Sequence, residues 1–162
     1  MTGHQALELE GTLGDEAMTA RLAVALAPLL RRRDIVALYG ELGAGKTAFA
    51  RALIRTLAGG AIVVPSPTFT LVQCYETPLF PIWHFDLWRL DDPEDAFELG
   101  IDDAFETGLT LLEWPDRLGA SLPARCFGVH MDIAPALGAH ERHCALKGFP
   151  ESRFRILTEF FS

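Results

Sequence analysis

Gly40-Glu41-Leu42-Gly43-Ala44-Gly45-Lys46-Thr47 is the stretch that decides the fold of this 162-residue chain. It fits the pattern G-x-x-x-x-G-K-[S/T], in which glycines let backbone N–H groups turn around phosphate. The apolar run 34–39 before it predicts a buried strand, and the segment 48–57 after it predicts a helix. A strand, a glycine loop and a helix start together form a cradle for phosphate groups.

This phosphate loop, or P-loop, predicts a nucleotide site. Lys46 adds a mobile positive charge for the β- and γ-phosphates, and the Thr47 hydroxyl can hold Mg²⁺. Lys147 is the only other lysine in the sequence. Because lysine is rare in this chain, the match to the motif is not explained by a high lysine content. The expected nucleotide contacts in the loop and the helix start are Glu41, Leu42, Gly43, Ala44, Gly45, Lys46, Thr47 and Ala48.

Composition predicts one globular domain over residues 1–162, because 49% of the residues are apolar. The formal net charge of −8 argues against broad binding to DNA or RNA, although a local RNA contact stays open. Three cysteines without a C-x-x-C motif favour reduced thiols and a cytoplasmic protein. No apolar stretch is long enough to span a bilayer, and residues 1–5 do not begin a signal peptide, so no membrane association is expected.

Strand and helix patterns alternate along the chain, which predicts an α/β fold. We expect a P-loop NTPase-like three-layer sandwich with a mixed, mainly parallel central sheet. The segments 71–75 and 82–88 are too close for a crossover helix, so they form a hairpin or lie apart. Further strands are predicted at 6–13, 62–64, 109–114, 126–133 and 142–146. Helices are predicted after Thr12 or Asp15, after 91–95 until Gly100, and, as helix or strand, at 153–161.

Two acidic residues end predicted strands. Glu113 ends an apolar run, and Asp86 shares one strand face with His84 and Trp88 by the period of two. Either carboxylate can hold Mg²⁺ or orient the attacking water. The alternatives are a paired surface acid for Asp86 and a helix-capping acid before Pro115 for Glu113.

Three other groups allow more than one interpretation. The loop 66–70, Ser-Pro-Thr-Phe-Thr, is either a switch whose Thr68 hydroxyl senses a γ-phosphate or an ordinary turn. The run Arg31–Arg33 is either an RNA contact or a solvated helix end. His140 and His143 have the spacing of a weak metal pair, with no third ligand evident in the sequence.

Four motifs together resemble the TsaE family, formerly called YjeE. They are the P-loop 40–47, S-P-T-F-T at 66–70, H-F-D-L-W-R-L at 84–90 and L-E-W-P at 112–115. Their order and spacing match the family from roughly Leu7 to Trp114. Trp88 stands where the family usually has tyrosine, and the chain after Ala120 matches less well.

The resemblance implies an ATPase that binds ATP or ADP with Mg²⁺ and hydrolyses ATP slowly alone, with stimulation by partner proteins. The family acts beside TsaB and TsaD in forming N6-threonylcarbamoyladenosine (t6A) in tRNA. By position, Lys46 and Thr47 are phosphate and Mg²⁺ ligands, and Thr68 lies in a loop like switch I. Asp86 lies in a strand like switch II, and Trp114 adjoins the nucleotide. The expected catalytic residues are Glu113, Asp86 and Lys46, and the expected metal ligands are Thr47, Glu113 and Asp86.

A P-loop kinase for a small metabolite is the alternative function. Such kinases carry an arginine-rich lid, whereas Arg125, Arg142, Arg153 and Arg155 are scattered here. A nucleotide-dependent scaffold with negligible turnover is a third hypothesis.

Overall fold

The computed structural model describes residues 6–134 and 140–162, so the first five residues, which carry the expectation about a signal peptide, lie outside it. Its strands are β1 (Ala6–Leu13), β2 (Ile35–Tyr39), β3 (Val72–Tyr75), β4 (Ile82–Asp86), β5 (Leu109–Glu113), β6 (Phe127–Ile133) and β7 (Arg142–Pro150). They form one sheet in the order β1-β7-β6-β2-β5-β4-β3. Strands β6, β2, β5 and β4 are parallel, and the outer strands pair antiparallel.

The helices are α1 (Glu16–Leu26), α2 (Lys46–Ala58), α3 (Pro93–Glu98), α4 (Ile101–Thr107) and α5 (Glu151–Phe154). Asp15 caps α1, because its Oδ1 accepts a 2.9 Å hydrogen bond from the Met18 amide. The alternative cap, Thr12, is wrong, since it lies within β1. None of the helices in the described part of the chain is long and apolar enough to cross a membrane.

Side chains alternate across the sheet and build two cores. In β2, Val36 and Leu38 pack on the side of α1 and α2, whereas Ile35 packs on the side of α3 and α4. The larger core also takes Phe154 of α5. Burial on both faces explains why β2 is apolar along nearly its whole length. The predicted three-layer sandwich with a mixed sheet is therefore confirmed.

The predicted strand at 62–64 is wrong. Val64 is buried, but the Ile62 and Val64 carbonyls accept hydrogen bonds from Arg55 and Arg51 of α2. The segment therefore follows the helix without pairing with a strand. Ile62 and Val64 pack against the larger core, whereas Val63 is 84% exposed to solvent.

The structure adds detail to two predicted regions, the acidic helix and the C-terminal segment. Gly100, with φ +83°, ends the acidic helix as predicted, and α4 follows it without having been predicted. The C-terminal segment is helical, with α5 continuing into a 3₁₀ segment, Arg155–Phe161.

The arginine run 31–33 lies in the turn before β2 and not at the end of α1. Arg32 donates to the Thr107 carbonyl at the end of α4, at 2.7 Å, and Arg33 forms a 2.9 Å ion pair with Glu106. These arginines thus complement the dipole of a different helix from the one expected.

Candidate functional site

The P-loop connects β2 to α2 at the carboxyl edge of the parallel strands. Strand β2 lies between β5 and β6, so the carboxyl ends of three parallel strands meet beside the loop. Ligands of open α/β sheets bind at this edge. Helix α2 begins at Lys46, and the Phe49 amide donates to the Gly45 carbonyl at 2.9 Å.

Three glycines give the loop its path. Gly40, Gly43 and Gly45 have φ values of +150°, +83° and +108°, which side chains disfavour. A Cβ on Gly40 would lie 2.3 Å from the Met131 carbonyl oxygen of β6. The loop therefore needs glycine at position 40 for close packing as well as for its backbone angles.

Lys46 lies inside the site and not on its surface. Only 5% of the residue is exposed; its Nζ donates to the Gly40 carbonyl and lies 3.3 Å from the centre of the Trp114 ring. Burial lowers the pKa of the Lys46 amine, and the nearby carboxylates of Glu113 and Asp86 oppose that shift. The amine thus lies among a carbonyl group, an aromatic ring and two carboxylates.

Glu113 is the most enclosed carboxylate of the site, with 2% exposure. The β2–β5 register places it opposite Leu38, one residue before the end of β2. Its Oε1 accepts a 2.8 Å hydrogen bond from the Thr47 hydroxyl, and its Oε2 lies 2.6 Å from His84 Nε2. The predicted neighbourhood of Thr47 and Glu113 is therefore present, and both carboxylate oxygens have partners.

Asp86 lies beside Glu113 because the parallel register pairs these two residues. Its Oδ2 accepts from the Thr68 hydroxyl at 3.2 Å, and its Oδ1 accepts from the Trp88 amide at 3.0 Å. Thr68 is in turn 2.7 Å from the Ser66 hydroxyl. The loop 66–70 thus reaches the site through Thr68, as the switch interpretation requires.

These groups surround a cavity of about 280 Å³. The predicted contacts that line it are Leu42, Gly43, Gly45, Lys46, Thr47, Ala48, Thr68, Asp86, Glu113 and Trp114. Glu41 lies outside it, in a neighbouring cavity that shares Trp114. Ala44 lines a further cavity on the other side of the loop.

Trp114 has an unusual backbone for a residue with a side chain. Its φ of +58° and ψ of +52° place it in the left-handed region, where such strain is typical of functional sites. Its ring contacts both the Lys46 amine and the Trp88 ring, and the centroids of the two tryptophan rings are 4.3 Å apart. The guanidinium of Arg117 lies 5.3 Å from the Trp88 ring. Trp88 itself lies beyond the end of β4, so the predicted strand is two residues too long.

A second cavity, of about 130 Å³, adjoins the P-loop on the α1 side. Arg142 at the start of β7 donates to the Gly43 carbonyl at 3.3 Å and so connects this cavity to the loop. The residues that line it are Asp15, Glu16, Thr19, Gly43, Ala44, Gly45, Ala48, His140 and Arg142.

Sequence patterns alone missed two parts of the site. Alternation placed His84 on the face of Asp86, but its contact with Glu113 depends on the β4–β5 register, which no local pattern reveals. Arg142 comes from a distant strand and carried no motif. Of the two histidines with the spacing of a metal pair, His140 lines the second cavity and His143 lies 3.5 Å from Glu10. Among the described residues, no group of three or more histidines, cysteines or acids could hold a metal.

Comparison with known proteins agrees with this geometry. The sequence model of the family described as "Threonylcarbamoyl adenosine biosynthesis protein TsaE" matches residues 13–142, which extends beyond the motifs into β6 and the start of β7. A tRNA threonylcarbamoyladenosine biosynthesis protein TsaE from Rickettsia bellii is 40% identical over 129 residues, covering 80% of this chain and 90% of that protein. The namesake from Bacillus subtilis is 35% identical over 106 residues, covering 65% of each chain.

A solved structure extends the comparison to nearly the whole chain. The crystal structure of YdiB from Bacillus subtilis superposes with a TM-score of 0.75 and 26% identity, covering 97% of this chain and 95% of that chain. The similarity therefore includes the C-terminal region beyond Ala120, where the motifs matched less well.

Proposed function

Because this chain belongs to the TsaE family of threonylcarbamoyl adenosine biosynthesis proteins, we propose that it is a P-loop ATPase of tRNA t6A formation. It uses ATP with Mg²⁺ and releases ADP and phosphate. The observation that carries the proposal is the 2.8 Å bond from Thr47 to Glu113 beside the buried Lys46. That arrangement combines a cation for phosphate with oxygen ligands for a divalent metal.

The P-loop and Lys46 bind the phosphates. Backbone amides of residues 43–47 and the start of α2 supply N–H donors and a positive helix end. Lys46 Nζ moves from the Trp114 ring toward the γ-phosphate and neutralises charge that develops there. Catalysis of this kind consists of positioning and electrostatic stabilisation.

The residues present fit Mg²⁺. Thr47, Glu113 and Asp86 offer hydroxyl and carboxylate oxygens, the donor type that this ion prefers. When bound there, Mg²⁺ would supply positive charge that offsets the charge of the phosphates. Glu113 is assigned to the metal because it already bonds the P-loop Thr47.

Asp86 is assigned to the attacking water. Its Oδ2 bonds the switch-like Thr68 and not the P-loop, so it follows the position of that loop. Thr68 contacts the γ-phosphate when the loop closes and brings Asp86 into line with it. The proposal thus gives Glu113 and Asp86 separate roles, where the sequence left both roles open to either carboxylate.

The nucleoside occupies the second cavity, beyond the P-loop. This cavity shares Gly43, Gly45 and Ala48 with the phosphate site, which supports a ligand that spans both. Asp15 and Glu16 offer acceptors for ribose or base donors there.

Partner proteins raise the rate of hydrolysis. No arginine is among the described residues that line the phosphate cavity, so turnover by the chain alone is slow. TsaB and TsaD are the proposed partners, and tRNA is contacted only indirectly or locally. The proposed location is the cytoplasm, which the three free cysteines support.

Two measurements test the function. Purified protein incubated with ATP and Mg²⁺ should release phosphate without any phosphorylated acceptor, whereas a phosphorylated metabolite would favour the kinase alternative. A pull-down from cell extract should recover TsaB and TsaD with ATP and lose them without it. A well-folded protein that gives no calorimetric heat with ATP or ADP at any Mg²⁺ concentration contradicts the proposal.

A further inference from the structure

His84 is a buried histidine directly behind the proposed metal ligand. The side chain is fully buried in β4, and its Nε2 lies 2.6 Å from Glu113 Oε2. The other carboxylate oxygen of Glu113 accepts from Thr47. One carboxylate therefore joins a core histidine to the P-loop helix.

The hydrogen-bond pattern defines how the imidazole is used. His84 Nδ1 is buried without a hydrogen-bond partner in the described structure. A buried N–H without an acceptor is more costly than a lone pair without a donor, since nearly all buried N–H groups are paired. The ring therefore carries a hydrogen on Nε2 and donates it to the Glu113 carboxylate.

We propose that His84 is a positioning residue that holds the Glu113 carboxylate in the orientation required for metal-dependent nucleotide binding. This inference rests on the proposed function of the same site. The donated hydrogen bond fixes Oε2 toward the sheet, so that Oε1 faces Thr47 before nucleotide arrives. Histidine and carboxylate partners behind a metal site commonly orient its ligands in this way, and their loss lowers metal affinity about 10- to 100-fold.

The test measures ADP affinity by calorimetry with Mg²⁺ and with EDTA, in place of activity. His84→Leu should bind ADP in EDTA as the unaltered protein does, while the gain in affinity from Mg²⁺ falls about 10- to 100-fold. His84→Gln should keep most of that gain, because its side-chain amide donates from nearly the same place as Nε2. In a Glu113→Gln background, His84→Leu should cause no further loss.

Two results would overturn the inference. One is a His84→Leu variant in which Mg²⁺ raises ADP affinity as much as in the unaltered protein. The other is a loss of ADP affinity from His84→Leu that is as large in the Glu113→Gln background as in the unaltered protein. If the unaltered protein shows Mg²⁺-dependent binding, either result removes the role of His84 and leaves the proposed function standing. An unaltered protein without any nucleotide binding removes both.

A measurement on the unaltered protein covers the case in which His84→Leu does not fold. Nitrogen-15 NMR of labelled histidine shows which ring nitrogens of His84 carry a hydrogen. A ring protonated at Nε2 supports the inference. A ring without a hydrogen on Nε2 overturns it, because Nε2 then has no hydrogen to donate to Glu113.

Discussion

Thr47 and Glu113 are 66 positions apart in the chain, yet the threonine hydroxyl donates a 2.8 Å hydrogen bond to the glutamate carboxylate. This contact joins the first turn of α2 to the carboxyl end of β5. It also links the loop proposed to bind phosphate to the acid proposed to hold the metal.

Thr47→Ala should lower the Mg²⁺-dependent gain in ADP affinity about 10- to 100-fold, because a hydroxyl that bonds a charged partner is removed. Thr47→Ser keeps the hydroxyl and should bind like the unaltered protein. Calorimetry with Mg²⁺ and with EDTA separates metal-dependent from metal-independent binding. Equal Mg²⁺ gains in the alanine and serine variants would contradict the role of the hydroxyl.

Lys46→Ala should weaken ATP binding about 100-fold or abolish it, since the buried amine proposed to neutralise the γ-phosphate is lost. Lys147→Ala is a matched control, because it removes the other lysine of the sequence, on β7. The control should bind ATP normally. Unchanged ATP affinity in Lys46→Ala would count decisively against the P-loop assignment.

Gly40→Ala should destabilise the fold by about 2 kcal/mol or more and weaken nucleotide binding. Its added Cβ would meet the Met131 carbonyl at 2.3 Å, and its φ is +150°. Gly14→Ala is the control, because no atom lies within 4 Å of a Cβ there. Thermal unfolding compares the two, and similar midpoints would show that the loop tolerates the extra atom.

Arg153→Met should lower the free energy of unfolding by about 3 kcal/mol, because it leaves the buried Asp34 carboxylate without its ion partner. Arg153 Nη2 lies 2.5 Å from Asp34 Oδ2. Arg155→Met removes a surface pair with Glu151 in which the arginine side chain is 74% exposed, and should change stability by less than about 1 kcal/mol. Urea unfolding measures the free energy of unfolding of both variants. Equal losses would contradict the prediction that the buried ion pair contributes more to stability than the surface pair.

The buried thiol of Cys144 should make the folded protein less stable at alkaline pH. Burial raises the pKa of its thiol from 9.0 to about 12 in the folded state. The unfolded thiol therefore ionises first, so stability is complete below pH 9.0 and decreases up to about pH 12. The largest contribution is about 4 kcal/mol, from three pKa units.

Cys144→Ala should flatten this decrease, measured by urea unfolding at a series of alkaline pH values. Its overall stability will also fall, because a core side chain becomes smaller, so the slope with pH is the relevant quantity. Cys74→Ala, at an exposed thiol, should leave most of the slope. An unchanged slope in Cys144→Ala would contradict the prediction.

Local patterns were sufficient for the elements that carry the site. The P-loop motif, the apolar run before it and the helix after it predicted β2 and α2 nearly to the residue. Glu113 was recognised because it ends a strand that is buried along its length. Both features depend on residues close in sequence.

Long-range pairing could not be predicted in the same way. Neither the sheet order nor the contact of His84 with Glu113 follows from local periodicity, because both depend on which strands become neighbours. The error at 62–64 has a related cause, since apolar residues that pack on a core resemble a strand whether or not they pair. Arg142 was missed because its role depends on the position of β7 relative to the P-loop.

The placement of β5 beside β2 has a consequence for folding. The proposed metal site has two halves, Thr47 on α2 and Glu113 at the end of β5, which begins at Leu109. Partly folded chains that contain only β2, the P-loop and α2 would therefore hold an incomplete site. A ligand that requires both halves stabilises only the complete fold, by an amount that increases with its free concentration. Added ADP with Mg²⁺ should therefore slow global unfolding while leaving the early collapse of the chain unaffected.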